Sequence, residues 1–477
     1  MRNCNITKKT LKLLHMILNL PKEVEEIMKK FVDSDYQIYI VGGAVRDLLM
    51  GREVKDWDFT TDAKPEEILK VIPEGFYNNK FGTVGISARS TSEVNQDENL
   101  AHTSEVSGAG LYEITTMRHE GDYTDHRHPV DVSWTDKIEE DLARRDFTVN
   151  AIALGKENKL VDPFEGQNDL EEKIIKAVGD PEKRFKEDAL RLIRAIRFAA
   201  QLNFKIEDKT FAAIKENSSL IQKISWERIR DEFFKILSSE NPYEGVLKLR
   251  EVGLLQIILP ELEDCFGIVQ EGPKHDRVYD IGEHSLLSLK FCSSKDPLVR
   301  FACLIHDIGK VDTVKIAKDG NVTFYGHDVV GGNLAKKVGE RLKLSKKEIE
   351  KLYRLVRWHL FSVDENQTDS AIRRFIKNVG LENIDDMMDL RVGDRLGGGT
   401  EKAVSWRMEK YKERIKQVLH KPFSISDLKV NGTDVMEILK IKPGPKVGEV
   451  LNKLFQEVLE DASKNNREYL MGRIKVI

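Results

Sequence analysis

The chain has 477 residues, of which 40% are hydrophobic and 33% charged, and its net charge is −4. This length predicts several domains, and the composition is that of a soluble globular protein without a stretch that could span a membrane. Since the charge is slightly negative, any nucleic acid must be held by local basic patches. The cysteines Cys4, Cys265, Cys292 and Cys303 form no C-x-x-C pair, which predicts reduced thiols and a cytoplasmic location.

The N-terminal twenty residues contain an apolar run that Lys12 and His15 interrupt, which indicates a short amphipathic helix rather than a signal peptide. A second amphipathic helix is predicted over Pro21–Asp33. A strand over Gln37–Val41 follows, and it leads into a glycine pair.

The stretch 41–61, VGGAVRDLLMGREVKDWDFTT, carries the first chemical pattern. Gly42 and Gly43 allow the backbone to approach a ligand, and the amides at the start of the helix predicted over 44–50 suit phosphate. Asp56 and Asp58 are two apart on the next predicted strand, so they share a face. Two carboxylates beside a phosphate cradle can hold divalent metal over a triphosphate, which predicts nucleotidyl transfer.

The glycine pair, Arg46–Asp47 and the D-x-D pair resemble the first motif of the CCA-adding tRNA nucleotidyltransferases. The resemblance is to the bacterial, class II branch of the poly(A) polymerase superfamily. It implies that Gly42, Gly43 and Arg46 contact the nucleotide and that Asp56 and Asp58 hold Mg²⁺.

The segment 64–129 continues the mixed pattern. It contains a helix entered through Pro65 and two further strands, with a polar insertion between the strands; the predicted ranges are Lys64–Val71, Phe81–Ser87, Ala88–Gly110 and Leu111–Met117. Glu113, on the last strand, is the candidate third carboxylate. The turn-rich loop Gly121–Pro129 resembles the family loop needed for the switch to adding A, and we interpret its His126 and His128 as solvated.

Asp141–Ala151, DLARRDFTVNA, resembles the second family motif. Arg144 and Arg145 supply fixed cationic forks for phosphate or a sugar edge. Asp146 or Asn150 can hydrogen-bond a ribose hydroxyl.

The helical pattern over Gly179–Gln201 contains the string E-D-A-L-R, which matches the family motif that selects the base; its residues are Glu187, Asp188 and Arg191, with Arg194 one turn further on. On a helix, Asp188 and Arg191 share a face. A carboxylate accepts from an exocyclic amine and a guanidinium donates to a ring nitrogen, so this pair accepts cytosine and adenine and rejects uracil and guanine. In the next predicted helix, Ile224–Ile236, Glu227 and Arg230 are predicted to brace the base-reading helix.

A second constellation of histidines and aspartates follows Pro260, in the order of the HD phosphohydrolase superfamily. Imidazoles with carboxylates suit a transition metal better than magnesium. By the resemblance, one metal is held by His284, His306, Asp307 and Asp394. His327 and His359 would bind a second metal or phosphate. All of these except His359 and Asp394 are predicted within helices or at helix ends.

The C-terminal segment 400–477 is predicted to be helical and locally basic, with a Pro/Gly turn at Pro443–Gly448 whose amides can hold a phosphate backbone. It resembles the family tail that grips tRNA. The basic residues of this segment are Lys402, Arg407, Lys410, Lys412, Arg414, Lys416 and Lys421.

The resemblance implies an α+β nucleotidyltransferase head, a small mixed sheet with helices, followed by an all-α neck, body and tail that contain an HD domain. The predicted domains are 22–155 (head), 156–265 (neck and body), 266–399 (HD) and 400–477 (tail). The implied reaction is addition of CCA to the tRNA 3′ end from CTP and ATP with Mg²⁺ in the head and a divalent transition metal in the HD domain. An A-adding enzyme or a poly(A) polymerase shares nearly every motif, and an enzyme that is chiefly an HD phosphohydrolase is a further alternative.

Overall fold

The structure is a computed structural model. It describes residues 20–77, 82–87, 111–121, 131–270, 279–316, 318, 322–363, 367–400, 402, 406–419 and 425–477. The predicted N-terminal helix, the insertion 88–110 and the loop residues 122–129, with His126 and His128, lie outside these ranges. The chain divides into two compact units, residues 1–232 with 251–257 and residues 233–250 with 258–477.

The described strands and helices are numbered in chain order. The strands are β1 Ile38–Val41, β2 Trp57–Thr61, β3 Phe76–Tyr77, β4 Thr83–Ser87, β5 Leu111–Thr116, β6 Arg118–Glu120, β7 Val132–Trp134, β8 Ala153–Leu154, β9 Leu160–Val161, β10 Ile174–Ile175, β11 Lys205–Ile206, β12 Val269–Gln270, β13 Tyr279–Asp280, β14 Lys315–Ile316 and β15 Val322–Thr323. The helices are α1 Lys22–Asp33, α2 Gly43–Leu49, α3 Pro65–Val71, α4 Ile138–Ala143, α5 Gly166–Glu172, α6 Pro181–Glu187, α7 Leu190–Leu202, α8 Asp208–Asn217, α9 Trp226–Leu237, α10 Pro242–Glu251, α11 Leu255–Ile258, α12 Pro260–Glu263, α13 Ile281–Lys290, α14 Pro297–Ile305, α15 Lys310–Thr313, α16 His327–Arg341, α17 Lys346–Arg357, α18 Asp369–Val379, α19 Ile384–Gly397, α20 Trp406–Leu419, α21 Gly432–Leu439, α22 Pro445–Glu460 and α23 Arg467–Ile474.

A seven-stranded sheet with the strand order β3-β4-β5-β2-β1-β8-β9 forms the centre of the first unit. β2 and β5 run parallel, whereas the other neighbours are antiparallel, so the predicted mixed sheet is confirmed. Alternate residues such as Ile40, Phe59 and Ile114 point into an apolar core that α1 and α3 cover. The intervening residues are left to face the opposite side of the sheet.

The rest of the described first unit is mainly helical, but the helical pattern over 179–201 is interrupted, so the prediction that Asp188 and Arg191 lie on one helix is wrong. The chain leaves helical geometry at Asp188 (φ −133°, ψ 106°), between α6 and α7. The Asp188 carboxylate accepts the backbone N–H of Leu190 at 3.0 Å. A short acidic side chain competes in this way for backbone amides, and it therefore favours a helix start over a helix interior.

In its described residues, the second unit contains helices and the two-residue strand pairs β12–β13 and β14–β15. Its C-terminal helices α21–α23 share one apolar core. The predicted turn at Pro443–Gly448 is partly wrong, because α22 already begins at Pro445, a residue suited to the first helical turn. The buried Arg373 of α18 donates to the carbonyls of Val458 and Leu459 at the end of α22, both at 3.3 Å.

Among the described residues, no helix combines the length and apolar character needed to cross a lipid bilayer. The described cysteines Cys265, Cys292 and Cys303 are buried free thiols.

Candidate active site

Two carboxylates meet on the face of the sheet opposite the apolar core. In the parallel β2–β5 ladder, Asp58 lies directly opposite Glu113, so both side chains point to the same side. Asp56 precedes the first residue of β2, so it lies beside the strand rather than within it, and its side chain is exposed. The structure therefore brings the predicted third carboxylate to the first two.

The pKa values of Asp58 and Glu113 reflect this crowding. Burial raises the pKa of Asp58; the charge of Asp56 adds to this effect, and Arg145 opposes it. Burial also raises the pKa of Glu113, with further contributions from the charges of Asp58 and Asp56. Carboxylates held close together in a half-buried position repel one another, and such a site favours the binding of a cation.

The glycine pair lies immediately beside these carboxylates. Gly42 has φ +70°, which favours glycine. A Cβ atom at Gly42 would lie 2.9 Å from Nη1 of Arg145 and 3.5 Å from Oδ2 of Asp58. The absence of a side chain here therefore keeps the Arg145 guanidinium and the Asp58 carboxylate at the surface of the backbone turn.

A buried network connects the first motif to the second. Arg46 donates from Nη1 to Oδ1 of Asn150 at 2.8 Å, and Asn150 donates to Oδ1 of Asp146 at 3.1 Å. Arg194 donates from Nε to Oδ2 of Asp146 at 2.9 Å. Burial alone would raise the pKa of Asp146, but the charge and hydrogen bonds of Arg194 outweigh burial and hold that pKa well below its ordinary value.

Asp141, a residue that the sequence analysis left without a role, holds the two adjacent arginines. Its fully buried carboxylate accepts from Nε and Nη2 of Arg144 at 2.9 and 2.8 Å and from Arg145 at 3.4 Å. Arg144 also pairs with Glu120 at 3.3 Å.

Asp188 and Arg191, two of the residues predicted to select the base, line one cavity of about 420 Å³. The residues that line it are Thr83, Thr115, Arg118, Arg144, Arg145, Asp146, Asp188, Leu190, Arg191, Arg194 and Arg228. Since Asp188 is not helical, the prediction that it shares a helix face with Arg191 is wrong, although both side chains line the cavity. Arg191 donates to Oε2 of Glu187 and to the carbonyl of Arg144, both at 2.8 Å.

On α9, Arg228 and Glu232 make contacts suited to bracing the predicted base-reading residues, a role predicted for Glu227 and Arg230. Arg228 donates to Oδ2 of Asp188 at 3.2 Å. Glu232, only 4% exposed, lies 3.1 Å from Nη1 of Arg197 and 3.8 Å from Nη1 of Arg194. Glu227 is exposed, and Arg230 pairs with its neighbour Asp231. Positions 228 and 232 are four residues apart and directly precede the buried Ile229 and Phe233, so on a helix they lie next to its buried side. This spacing is the sequence signal that could have identified them.

We expect Glu232→Ala to lower the free energy of unfolding by about 3 kcal/mol, because it leaves Arg197 buried without its carboxylate. Glu227→Ala, on the same helix but exposed, should change the free energy of unfolding by less than about 0.5 kcal/mol. Urea denaturation followed by circular dichroism measures both variants. Equal stabilities of the two variants would contradict the assignment of Glu232 as the brace.

The predicted HD residues converge in the second unit, and Asp307 lies at their centre. Its Oδ2 is 3.4 Å from Nε2 of His284 and 3.2 Å from Nε2 of His306. Its Oδ1 is 3.3 Å from Nε2 of His327 and 3.6 Å from Nε2 of His359. The residues thus form two groups of potential metal ligands that share Asp307.

Three of these histidines are oriented by backbone carbonyls. Nδ1 of His306, His327 and His359 lies 2.7–2.8 Å from the carbonyl oxygen of a residue three positions earlier. Because a carbonyl only accepts, each Nδ1 carries the proton, and each Nε2 is the atom that can bind a metal. Asp394 lies inside α19, contrary to the expectation that it falls outside the helices, and its Oδ1 is 3.3 Å from Nε2 of His284.

Three family models match the chain. Residues 38–176 match the poly A polymerase head domain, residues 203–266 match the probable RNA and SrmB-binding site of polymerase A, and residues 332–474 match the putative tRNA nucleotidyltransferase domain 2. These ranges cover the carboxylates, the glycine pair and the second motif, whereas residues 187–194, predicted to select the base, fall between the first two.

Curated relatives match over nearly the whole chain. A CCA-adding enzyme from Lactococcus lactis subsp. lactis is 32% identical over 460 residues, covering 96% of this chain and 98% of the relative. An A-adding tRNA nucleotidyltransferase from Deinococcus radiodurans is also 32% identical, over 87% of this chain and 90% of its own. Among solved structures, the Bacillus stearothermophilus CCA-adding enzyme in complex with CTP is 26% identical with a TM-score of 0.69, covering 95% of this chain and 98% of that one.

Proposed function

This chain belongs to the CCA-adding enzyme family, and we propose that it adds CCA to the 3′ end of tRNA with CTP and ATP as donors. The observation that carries the proposal is the row of Asp58 and Glu113 beside Gly42 and Arg145, next to a cavity that Asp188 and Arg191 line. In the reaction, the terminal 3′-hydroxyl attacks the α-phosphorus of the nucleotide and pyrophosphate leaves.

The carboxylates fit a divalent cation. Burial raises the pKa values of Asp58 and Glu113, with contributions from the charge of Asp56 to both and of Asp58 to Glu113, and a cation would offset this excess of negative charge. Asp56, Asp58 and Glu113 would hold it, and oxygen ligands of this kind suit Mg²⁺. Bound there, Mg²⁺ supplies activation of the attacking hydroxyl and neutralisation of charge on the leaving group.

The other site residues bind and orient the nucleotide in this proposal. Arg145, beside Gly42, contacts the triphosphate, and Arg46 fixes Asn150 through the network that includes Asp146. Asp188 and Arg191 read the amine and the ring nitrogen of cytosine or adenine. Arg228 and Glu187 hold these two side chains in place.

Incorporation into three tRNA transcripts, which end before CCA, after C and after CC, tests the proposal. Each is incubated with protein, Mg²⁺ and one labelled NTP at a time, and then with CTP and ATP together. Completion of CCA on all three, without U or G, is the expected result. A single A added only to the CC-ended tRNA would indicate an A-adding enzyme, a second candidate because of the Deinococcus relative, and long A tails would indicate a poly(A) polymerase.

We also propose a metal-dependent phosphohydrolase site in the second unit. Four imidazoles lie around Asp307 in two groups of potential ligands that share its carboxylate, Asp394 lies beside His284, and Nε2 of His327 is buried without a hydrogen bond to any described residue. His284, His306, Asp307 and Asp394 would hold a divalent transition metal, and His327 and His359 a second metal or the phosphate. The metal would supply an activated water, and Lys310, 2.6 Å from Asp307, would orient that carboxylate.

We expect Asp307→Ala to lose bound Mn²⁺ or Co²⁺ and any hydrolysis of an aryl phosphodiester, because Asp307 belongs to both groups of ligands. Metal content after dialysis against either ion measures the first effect, and release of the aryl alcohol measures the second. His119→Ala, an exposed histidine outside the cluster, serves as the control. A wild-type protein that retains no metal above the Asp307→Ala level would exclude this second site.

Two further assignments belong to the proposal. The four-domain division, with a tRNA-binding tail over 400–477, follows the sequence motifs. A cytoplasmic location is supported by the tRNA substrate and by the free thiols of Cys265, Cys292 and Cys303.

A further inference from the structure

Phe76 lies in the same row of the sheet as the two carboxylates. β3 pairs with β4 so that Phe76 is opposite Gly85, and β4 pairs with β5 so that Gly85 is opposite Glu113. Glu113 is in turn opposite Asp58. Residues that pair directly across neighbouring strands point to the same face, so Phe76 shares the face of Glu113 and Asp58.

The ring of Phe76 lies over Gly85. A Cβ atom at Gly85 would be 2.7 Å from Cζ and 3.0 Å from Cε2 of Phe76, so only glycine leaves room for the ring. Gly85 is on β4, the strand next to β5, so the ring lies one strand spacing, roughly 4.8 Å, from β5 and Glu113. Yet Phe76 is 48% exposed, which is unusual for a phenylalanine that a neighbouring glycine accommodates.

The order of these residues across the sheet indicates on which side the pyrophosphate leaves and from which side the 3′-hydroxyl arrives. From one end it runs from Val41, which precedes the glycine pair, through Asp58 and Glu113 to Gly85 and Phe76. In phosphoryl transfer the attacking and leaving oxygens lie on opposite sides of the phosphorus. With the triphosphate over Gly42 and Arg145, pyrophosphate leaves toward β1, and the 3′-hydroxyl arrives from the side of β4 and β3.

We propose that Phe76 is the stacking platform for the last base of the tRNA acceptor strand. This inference rests on the proposed nucleotidyl transfer, since that reaction places the 3′ end over Glu113. An aromatic face stacks on any base, so the platform would serve an acceptor that ends in the discriminator base, in C or in CC. Phe76 is then a positioning residue: it orients the terminal nucleotide whose hydroxyl reacts.

Tyr77 supplies a matched control. It is also an exposed aromatic of β3, 51% exposed, but it pairs with Val84 and therefore points to the opposite face of the sheet. Loss of Tyr77 removes a similar exposed surface from the same edge strand without touching the reaction face.

Steady-state incorporation of CMP into tRNA tests the platform with separate titrations of tRNA and of CTP. Phe76→Ala and Phe76→Leu should raise the KM for tRNA about tenfold, the effect expected from the loss of one stacked base, and leave the KM for CTP unchanged. Phe76→Trp should retain the wild-type KM for tRNA because it keeps an aromatic face. Tyr77→Ala should behave as wild type.

Binding of an acceptor RNA that ends in 2-aminopurine gives an independent readout. The fluorescence of 2-aminopurine should decrease when the RNA binds the wild-type protein or Tyr77→Ala, because the base stacks. It should not decrease when the RNA binds Phe76→Leu. A wild-type KM for tRNA in both Phe76→Ala and Phe76→Leu, or a rise in the KM for CTP instead, would overturn the platform. A wild-type protein that extends no RNA would overturn the proposed function itself, and the 2-aminopurine signal would then still decide whether Phe76 stacks on RNA.

Discussion

The Asp58→Ala variant should lose CMP and AMP transfer by roughly 10³-fold or more, on the scale of removing a group that stabilises charge in phosphoryl transfer. Asp58 and Glu113 are directly opposite each other on β2 and β5, and each contributes its own carboxylate to the site. If Asp58 is lost, Glu113 could take its place as an oxygen ligand only if β5 shifted. Single-turnover incorporation at saturating CTP measures the effect. Glu66→Ala, an exposed carboxylate on α3, should retain full activity.

The same substitution should not unfold the protein. A carboxylate whose pKa is raised in the folded state contributes stability that is fully present below its unfolded pKa and is lost as the pH rises through the folded pKa. For Asp58 and Glu113 that loss begins near their ordinary values of 3.8 and 4.5 and extends above them. At neutral pH and without metal, Asp58→Ala should therefore have a Tm equal to or above that of the wild type.

Added Mg²⁺ should raise the Tm of the wild type and have a much smaller effect on Asp58→Ala, because a ligand that binds only the folded state stabilises it. Full transferase activity in Asp58→Ala would remove the carboxylate row as the reaction centre. A Tm far below the wild-type value would instead assign Asp58 a structural role.

The Asp188→Asn variant should relax base selection, raising incorporation of U relative to C by roughly 10- to 100-fold, the range expected from one or two base-edge hydrogen bonds. An amide can donate to the O4 carbonyl of uracil, which a carboxylate cannot do. The carboxamide keeps the shape of Asp188 and an oxygen that can accept from the Leu190 amide. The ratio of kcat/KM for UTP and CTP on a tRNA that ends before CCA measures the change.

Arg191→Ala should lower discrimination between the four nucleotides in the same assay, because the donor to the ring nitrogen is lost. Arg230→Ala is the matched control, since Arg230 pairs with Asp231 and is not among the residues that line the cavity. Unchanged selectivity in both Asp188→Asn and Arg191→Ala would show that other residues read the base. A uniform loss of rate with all four nucleotides would indicate that the two residues only support the fold.

The local elements of the head could be predicted from the sequence. These elements follow from local backbone geometry and from the burial of one face. Examples are the glycine before α2, the alternating apolar residues on the strands and Pro65 at the start of α3. The convergence of the predicted HD residues around Asp307 is seen in the structure, and metal binding there stays a prediction from the donor atoms of their side chains.

The partners of the arginines could not be predicted in the same way. Helical spacing indicated that Arg191 faces Asp188, but the Asp188 carboxylate accepts the backbone N–H of Leu190 and pairs with Arg228, while Arg191 pairs with Glu187. A guanidinium can reach many carboxylates within a few ångströms, and spacing along the chain does not rank them.

The sequence alone predicted the candidate residues for the chemistry: the carboxylates, the glycine pair, the arginines and the histidine cluster. Which of these residues meet became clear from the fold, because strand register and helix packing join residues far apart in the chain. The row from Asp58 through Glu113 and Gly85 to Phe76 is the clearest example. No periodicity relates these four positions, and a shift of β3 by one residue would replace Phe76 with Tyr77 on the reaction face.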